Sequence, residues 1–176
     1  MFKRIWDCCP TGSGGPTPAE RSRILVGCAD RLKKLGNGDR RARTEFSRFV
    51  IENEGIVPKR TFGRAIGKRI GKKQRDILIR TAKKQAAKID YDAGRHEITL
   101  GDKRSALAHF KNAVKLTGHR DARECILVLK KFGARGVDTI IEKIMVNVDK
   151  RSPDEARRII AESKETPYES EFSPFG

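Results

Sequence analysis

Between Lys59 and Lys88 the chain carries Lys59, Arg60, Arg64, Lys68, Arg69, Lys72, Lys73, Arg75, Arg80, Lys83, Lys84 and Lys88 against a single acid, Asp76. A solvated helix face usually mixes signs, because opposite charges four residues apart stabilise one another. A nearly single-sign run instead directs a positive field outward, toward an anionic partner. Lys and Arg at successive turns neutralise phosphates along a nucleic-acid backbone and release its counterions, which makes affinity steeply salt-dependent. Aromatics that would stack on unpaired bases are scarce here, with only Phe62 and Tyr91 in reach, so recognition of backbone or duplex shape is expected over base reading.

Inside this run a four-residue pattern repeats: Phe62-Gly63-Arg64-Ala65, Ile66-Gly67-Lys68-Arg69, Ile70-Gly71-Lys72-Lys73. On one helix it would stack an apolar row, a glycine row and a basic row side by side. Three helical glycines cost about 2–3 kcal/mol relative to alanine. The expectation is that Gly63, Gly67 and Gly71 serve close approach to a partner or close helix packing.

Other chemistry is not indicated. Cys8, Cys9, Cys28 and Cys125 have neither disulfide-framework nor CxxC spacing, and His96, His109 and His119 complete no zinc signature, so no metal is expected. No Walker loop, nucleophile elbow or dinucleotide fingerprint is present, so the chain is expected to be no enzyme, with no cofactor and no small-molecule substrate. Asp90, Asp92 and Glu97 are read as offsetting nearby lysines, and His109 and His119 as surface residues of a basic face. The segment Met1-Phe2-Lys3-Arg4-Ile5-Trp6-Asp7-Cys8-Cys9 joins apolar bulk, two cations and a cysteine pair, which makes Cys8 and Cys9 candidate acylation sites at a membrane surface. Phe at position 2 argues against N-myristoylation.

The elements that must position the basic run follow from start and stop signals. With 176 residues and a net charge of +16, one domain with tails and an anionic partner is expected. The Gly/Pro-rich stretch Cys9 to Pro16 closes a flexible arm and linker over 1–16. Thr17-Pro18-Ala19-Glu20 is a capping box that opens a helix carrying Ile24, Leu25, Cys28, Leu32 and Leu35, and Gly36-Asn37-Gly38 ends it. Asp39 caps a second helix with Phe46, Phe49 and Val50 on its apolar side. The basic segment then runs from Lys59 to about Ile98, helical by pattern through most of its length. Asp102, Asp121 and Ser152-Pro153-Asp154-Glu155 open later helices, and another carries Val137, Ile140, Ile141, Ile144 and Met145. Residues 17–163 are thus a helical domain, and 164–176 a disordered tail. The fold expected is an all-α bundle of about six to seven short-to-medium helices with one long basic helix.

Two partial resemblances accompany this pattern. Gly94, Gly101, Ala106, Phe110 and Ala113 are similar to the small-residue signature of one tetratricopeptide repeat, of which about three are needed to build a solenoid core. Gln74-Arg75-Asp76 through Gly101-Asp102-Lys103-Arg104-Ser105-Ala106-Leu107, with Phe132-Gly133 and the basic, apolar N-terminal arm, resembles the helical hairpin of ESCRT-III membrane-remodelling proteins. That second resemblance implies binding to anionic lipid.

The expected function is non-enzymatic RNA binding, in a composition class shared with viral accessory, silencing-suppressor and nucleocapsid-type proteins. The alternatives are a peripheral membrane protein of matrix or remodelling type and a helical adaptor. A homo-oligomer is compatible with either. No run reaches the roughly 18 apolar residues of a membrane span, so a cytoplasmic, nuclear or membrane-peripheral location is expected.

Overall fold

The computed structural model describes residues 15–35, 39–65 and 70–165, and among these lie eight α-helices, a short 3-10 turn and no strand. The all-α expectation holds. The expected N-terminal arm with Cys8 and Cys9, and the tail beyond residue 165, lie outside the described residues.

Helix α1 (Pro18–Lys34) starts as its sequence requires. The Thr17 amide donates to Glu20 Oε2 (2.7 Å), and the Glu20 amide donates back to Thr17 Oγ1 (3.3 Å). Two backbone donors that the helix cannot satisfy are thereby matched. The Glu20 carboxyl is held below its usual range, first by the Thr17 amide and then by the Thr17 hydroxyl. Asp39 caps α2 (Arg40–Glu52) by accepting from the Arg41 amide (2.8 Å). A short α3 (Lys59–Phe62) runs directly into a 3-10 turn, Gly63–Ala65. The long α4 (Lys72–Leu100) ends where Gly101 takes a left-handed φ of +84°, a conformation open to glycine. Asp102 then caps α5 (Lys103–Thr117), accepting from the Arg104 (3.1 Å) and Ser105 (2.9 Å) amides. Helices α6 (Arg120–Phe132), α7 (Val137–Asn147) and α8 (Pro153–Glu165) complete the chain.

Contacts divide the described residues into two compact units. One holds 15–91 and 112–119. Its core joins Leu25, Cys28 and Leu32 of α1, Phe46 and Val50 of α2, Phe62 of α3, and Leu78, Ala82 and Ala86 of α4. Ser22 donates from α1 to Asp90 Oδ2 on α4 (2.7 Å) across this interior. Asp90 is only 2% exposed and faces the core. His119 is half-buried, and its ring stacks on Tyr91 at 4.7 Å between centroids and 17° between planes.

The other unit holds 92–111 and 120–165. Phe110, Cys125, Ile140, Ile141, Ile144 and Met145 are buried in it. Gly94 admits the Phe110 ring so closely that a Cβ there would lie 2.7 Å from Cε1. Arg95 donates from Nη1 and Nη2 to the two carboxylate oxygens of Asp149 (2.8 and 2.6 Å). Lys103 donates to the carbonyls of Gly133 (2.7 Å) and Arg135 (2.9 Å), which follow α6.

The basic segment departs from its expected form. It is not one helix from Lys59: the chain makes α3 and a 3-10 turn first, and the long basic helix begins only at Lys72. Gly63 closes α3 and Gly71 precedes α4, its carbonyl accepting from the Arg75 amide (3.0 Å). Gly67 lies outside the described residues. A Cβ at Gly63 would meet only the Lys59 side chain, at 3.5 Å, and one at Gly71 would meet nothing within 4 Å. Among the described residues these two glycines therefore serve no close packing. Phe62 and Ala65 both enter the core, as residues three apart do on a 3-10 or an α turn. Ending the helix here avoids glycines at helix-interior positions, which cost about 1 kcal/mol each.

Candidate nucleic-acid interface

Leu78, Ala82 and Ala86 bury one side of α4, so the residues on the opposite side are fixed toward solvent. At about 100° per residue, Lys73, Ile77, Arg80, Lys84 and Lys88 fall within roughly 80° of arc on that outer side. Lys73 to Lys88 spans roughly 22 Å at 1.5 Å per residue. Lys73, Arg80, Lys84 and Lys88 are exposed, and Ile77 between them is 43% exposed. Lys72, exposed, and Lys83, half-buried, form a flanking row, while half-buried Arg75 turns away. Lys59 and Arg60 are exposed on α3 in the same unit. Lys68, Arg69 and the Arg64 side chain lie outside the described residues.

Charge pairing separates these cations from those of α8, although Lys34, Lys111, Lys115, Lys130 and Lys131 among the described residues also have no carboxylate within ion-pair distance. Among the described residues, no carboxylate lies within ion-pair distance of Lys59, Arg60, Lys72, Lys73, Arg80, Lys83 or Lys84. Arg80 instead donates from Nε to the Asp76 backbone carbonyl (3.4 Å). Helix α8 shows the opposite habit. Arg157 meets Asp154 (2.7 Å) and Glu142 (3.9 Å), Arg158 meets Glu162 (3.7 Å), and Lys164 pairs with Asp138.

Helix polarity sharpens the contrast. A helix N-terminus is the positive end of the macrodipole and favours acids. Helices α1, α6, α7 and α8 follow that rule with Glu20, Asp121, Asp138, and Asp154 with Glu155 in their first turns. Helix α4 has no acid there, in common with α2, α3 and α5, and places Lys72, Lys73 and Arg75 at that end. Each such cation is unfavourable by about 0.3–1 kcal/mol at low salt, a cost that a bound anion would reverse.

Phe62 is fully buried and Tyr91 is 9% exposed, so neither aromatic near the run is free to stack on a base. What the surface offers is cations and backbone amides. One cluster escaped the sequence-level reading: Arg40, Arg41, Arg43 and Arg48 on α2, against Glu45 in the same stretch. Its signal was four arginines to one glutamate in nine residues, masked by the stronger run that follows.

Among the described residues no group of three or more His, Cys, Asp or Glu side chains is placed to hold a metal, and no helix is long and apolar enough to cross a membrane. Cys28 is buried in the core, which pushes its thiol up to about 12 despite the nearby Arg31 charge. No protein-family model, curated protein or solved structure matches the chain.

Proposed function

We propose that this is a non-enzymatic RNA-binding protein that grips the phosphodiester backbone through the outer face of α4, with Lys59 and Arg60 of α3 extending the contact. The observation that carries it is the stripe Lys73, Arg80 and Lys84, solvent-facing over three turns and without a carboxylate partner among the described residues. A protein seeking only solubility gains nothing from cations at the positive end of a helix dipole. Twelve of the 39 basic residues, against one acid, fall within residues 59–88, so much of the net +16 is concentrated there. The burial of Phe62 and Tyr91 favours contact with backbone and duplex shape over single-strand stacking.

The test is a gel shift with a 20-base-pair RNA duplex and a single strand of the same length, comparing the native chain with Arg80→Glu/Lys84→Glu. Both positions are exposed, so folding should survive. The expected result is tighter binding to duplex than to strand and at least a thirtyfold loss in the variant, about 1 kcal/mol per reversed charge. Equal affinity of variant and native protein for both RNAs refutes the proposal.

A further inference from the structure

Helix α2 presents a second feature on the unit that carries the basic stripe. Its side away from Phe46 and Val50 borders an open cleft of about 660 Å³, lined among the described residues by Arg40, Arg43, Arg48, Thr44 and Ser47, with Ile51 and Glu52 at one end. Helical spacing accounts for the alignment, since 40, 43–44, 47–48 and 51–52 recur on one side. Thr44 donates to the Arg40 carbonyl (3.1 Å), so its hydroxyl oxygen keeps acceptor capacity only, and the donors considered for a guest are the Arg40 and Arg48 guanidinium groups.

The charges here are arranged as on α4. No acid occupies the first turn of α2, and Arg40 opens the helix at its positive end. Arg41 is matched to Glu45 (3.3 Å) and points off the cleft. Arg40 and Arg48, both exposed, have no carboxylate within ion-pair distance among the described residues. The guanidinium fork binds phosphate oxygens in pairs, which the ammonium of lysine cannot do. Helix α2 also packs against α3 and the 3-10 turn, so the cleft belongs to the same unit as Lys59 and Arg60.

We propose that the α2 cleft is a second phosphodiester-binding site, in which Arg40 and Arg48 each pair with a backbone phosphate of the RNA whose neighbouring phosphates lie on α4. This rests on the RNA-binding reading above and adds a discrete arginine site to a lysine-rich track. The two surfaces divide the labour chemically: α4 contributes point charges along about four turns, and α2 contributes bidentate contacts that fix register.

The test is fluorescence anisotropy with a labelled 20-base-pair RNA duplex at four salt concentrations, with circular dichroism melts to check folding. Four variants are compared: Arg40→Gln/Arg48→Gln in the cleft, Arg40→Lys/Arg48→Lys to keep its charge, Lys73→Gln/Lys84→Gln on α4, and Arg157→Gln/Arg158→Gln as a control of equal charge loss on the internally paired α8. The cleft Gln pair is expected to make the slope of log K against log salt shallower by about 1.4–1.8, the value for two lost phosphate contacts. The Lys pair should keep the native slope yet bind several-fold more weakly. The α8 control should keep both. A native slope in the cleft Gln pair, with a reduced slope on α4, overturns the cleft while leaving the RNA reading in place. Equal slopes in all variants, or no RNA binding by the native chain, overturn both. A loss equal in the cleft and α8 pairs also overturns the cleft, since it reports net charge alone. If the cleft Gln pair melts early, Arg48→Gln alone is expected to reduce the slope by about 0.7–0.9, and an unchanged slope there has the same overturning force.

Discussion

Replacing Gly94 by valine would insert three carbon atoms where the Phe110 ring already sits. A Cβ at this position would lie 2.7 Å from Cε1, 2.9 Å from Cδ1 and 3.1 Å from Cζ, whereas carbon atoms rest about 3.5–4.0 Å apart. Phe110 is fully buried, so the ring cannot swing into solvent. Alanine at 94 recovers about 1 kcal/mol of helix propensity and loses about 1–3 kcal/mol to overpacking, a net destabilisation of about 1 kcal/mol. Valine recovers about half as much propensity and adds two methyl groups to the clash, for a net loss of about 2–3 kcal/mol. At roughly 2–4 °C per kcal/mol for a chain of this length, the valine variant should melt about 5–10 °C below the native protein in a circular dichroism scan. The sign should depend on the ring: with Phe110→Leu as background, Gly94→Ala should become stabilising by up to about 1 kcal/mol. A valine variant melting within two degrees of native, or an alanine variant whose effect ignores the Phe110→Leu change, would refute the packing.

Further outcomes follow from the same geometry. Asp149→Ala removes the bidentate carboxylate from the Arg95 guanidinium, whose side chain is 11% exposed, and should cost about 2 kcal/mol in urea denaturation, more than the loss from Arg158→Ala on the α8 surface. Cys28, raised to about 12, should resist a thiol-labelling reagent in the folded protein at pH 8 and react within minutes in denaturant. Its raised value also sets a sign: the stability it contributes is fully present below the unfolded value of 9.0 and is lost as pH rises from there through about 12, so Cys28→Ala should flatten the alkaline fall seen by thermal melts. Glu20 works in the other direction, because its lowered carboxyl favours the folded state above 4.5 and loses that contribution as pH falls through its folded value. Amide exchange at the start of α1 should therefore rise below pH 4.5 in the native chain but not in Glu20→Gln.

Helix starts were legible because they are local chemistry. Thr17 with Glu20, Asp39, and Asp102 each satisfy backbone amides within three residues, so the sequence window contains both partners. The stop at Gly101 was legible for the same reason, and so were the apolar stripes of α1, α2 and α7. The Phe62 to Lys73 repeat misled because period four fits a helix locally, whereas the chain makes a short α3 and a 3-10 turn there. The contacts of Asp90 with Ser22, 68 residues away, and of His119 with Tyr91 of α4 carry no local sequence signal. At the candidate site, the lysine-rich run was plain from charge alone. Which of its cations share a face, and the arginine-lined side of α2, became visible only once burial fixed the rotation of each helix.

The central claim is that cations on the outer face of α4 bind RNA phosphates, and salt titration of a 20-base-pair RNA duplex measures this most directly. Five phosphate contacts imply a slope of log K against log salt of about −4.5, hence a loss of affinity on the order of several hundredfold between 50 and 200 mM salt. Lys73→Gln/Lys84→Gln should make that slope shallower by about 1.4–1.8. A native slope shallower than about −2, or one that those two substitutions leave untouched, would contradict the account.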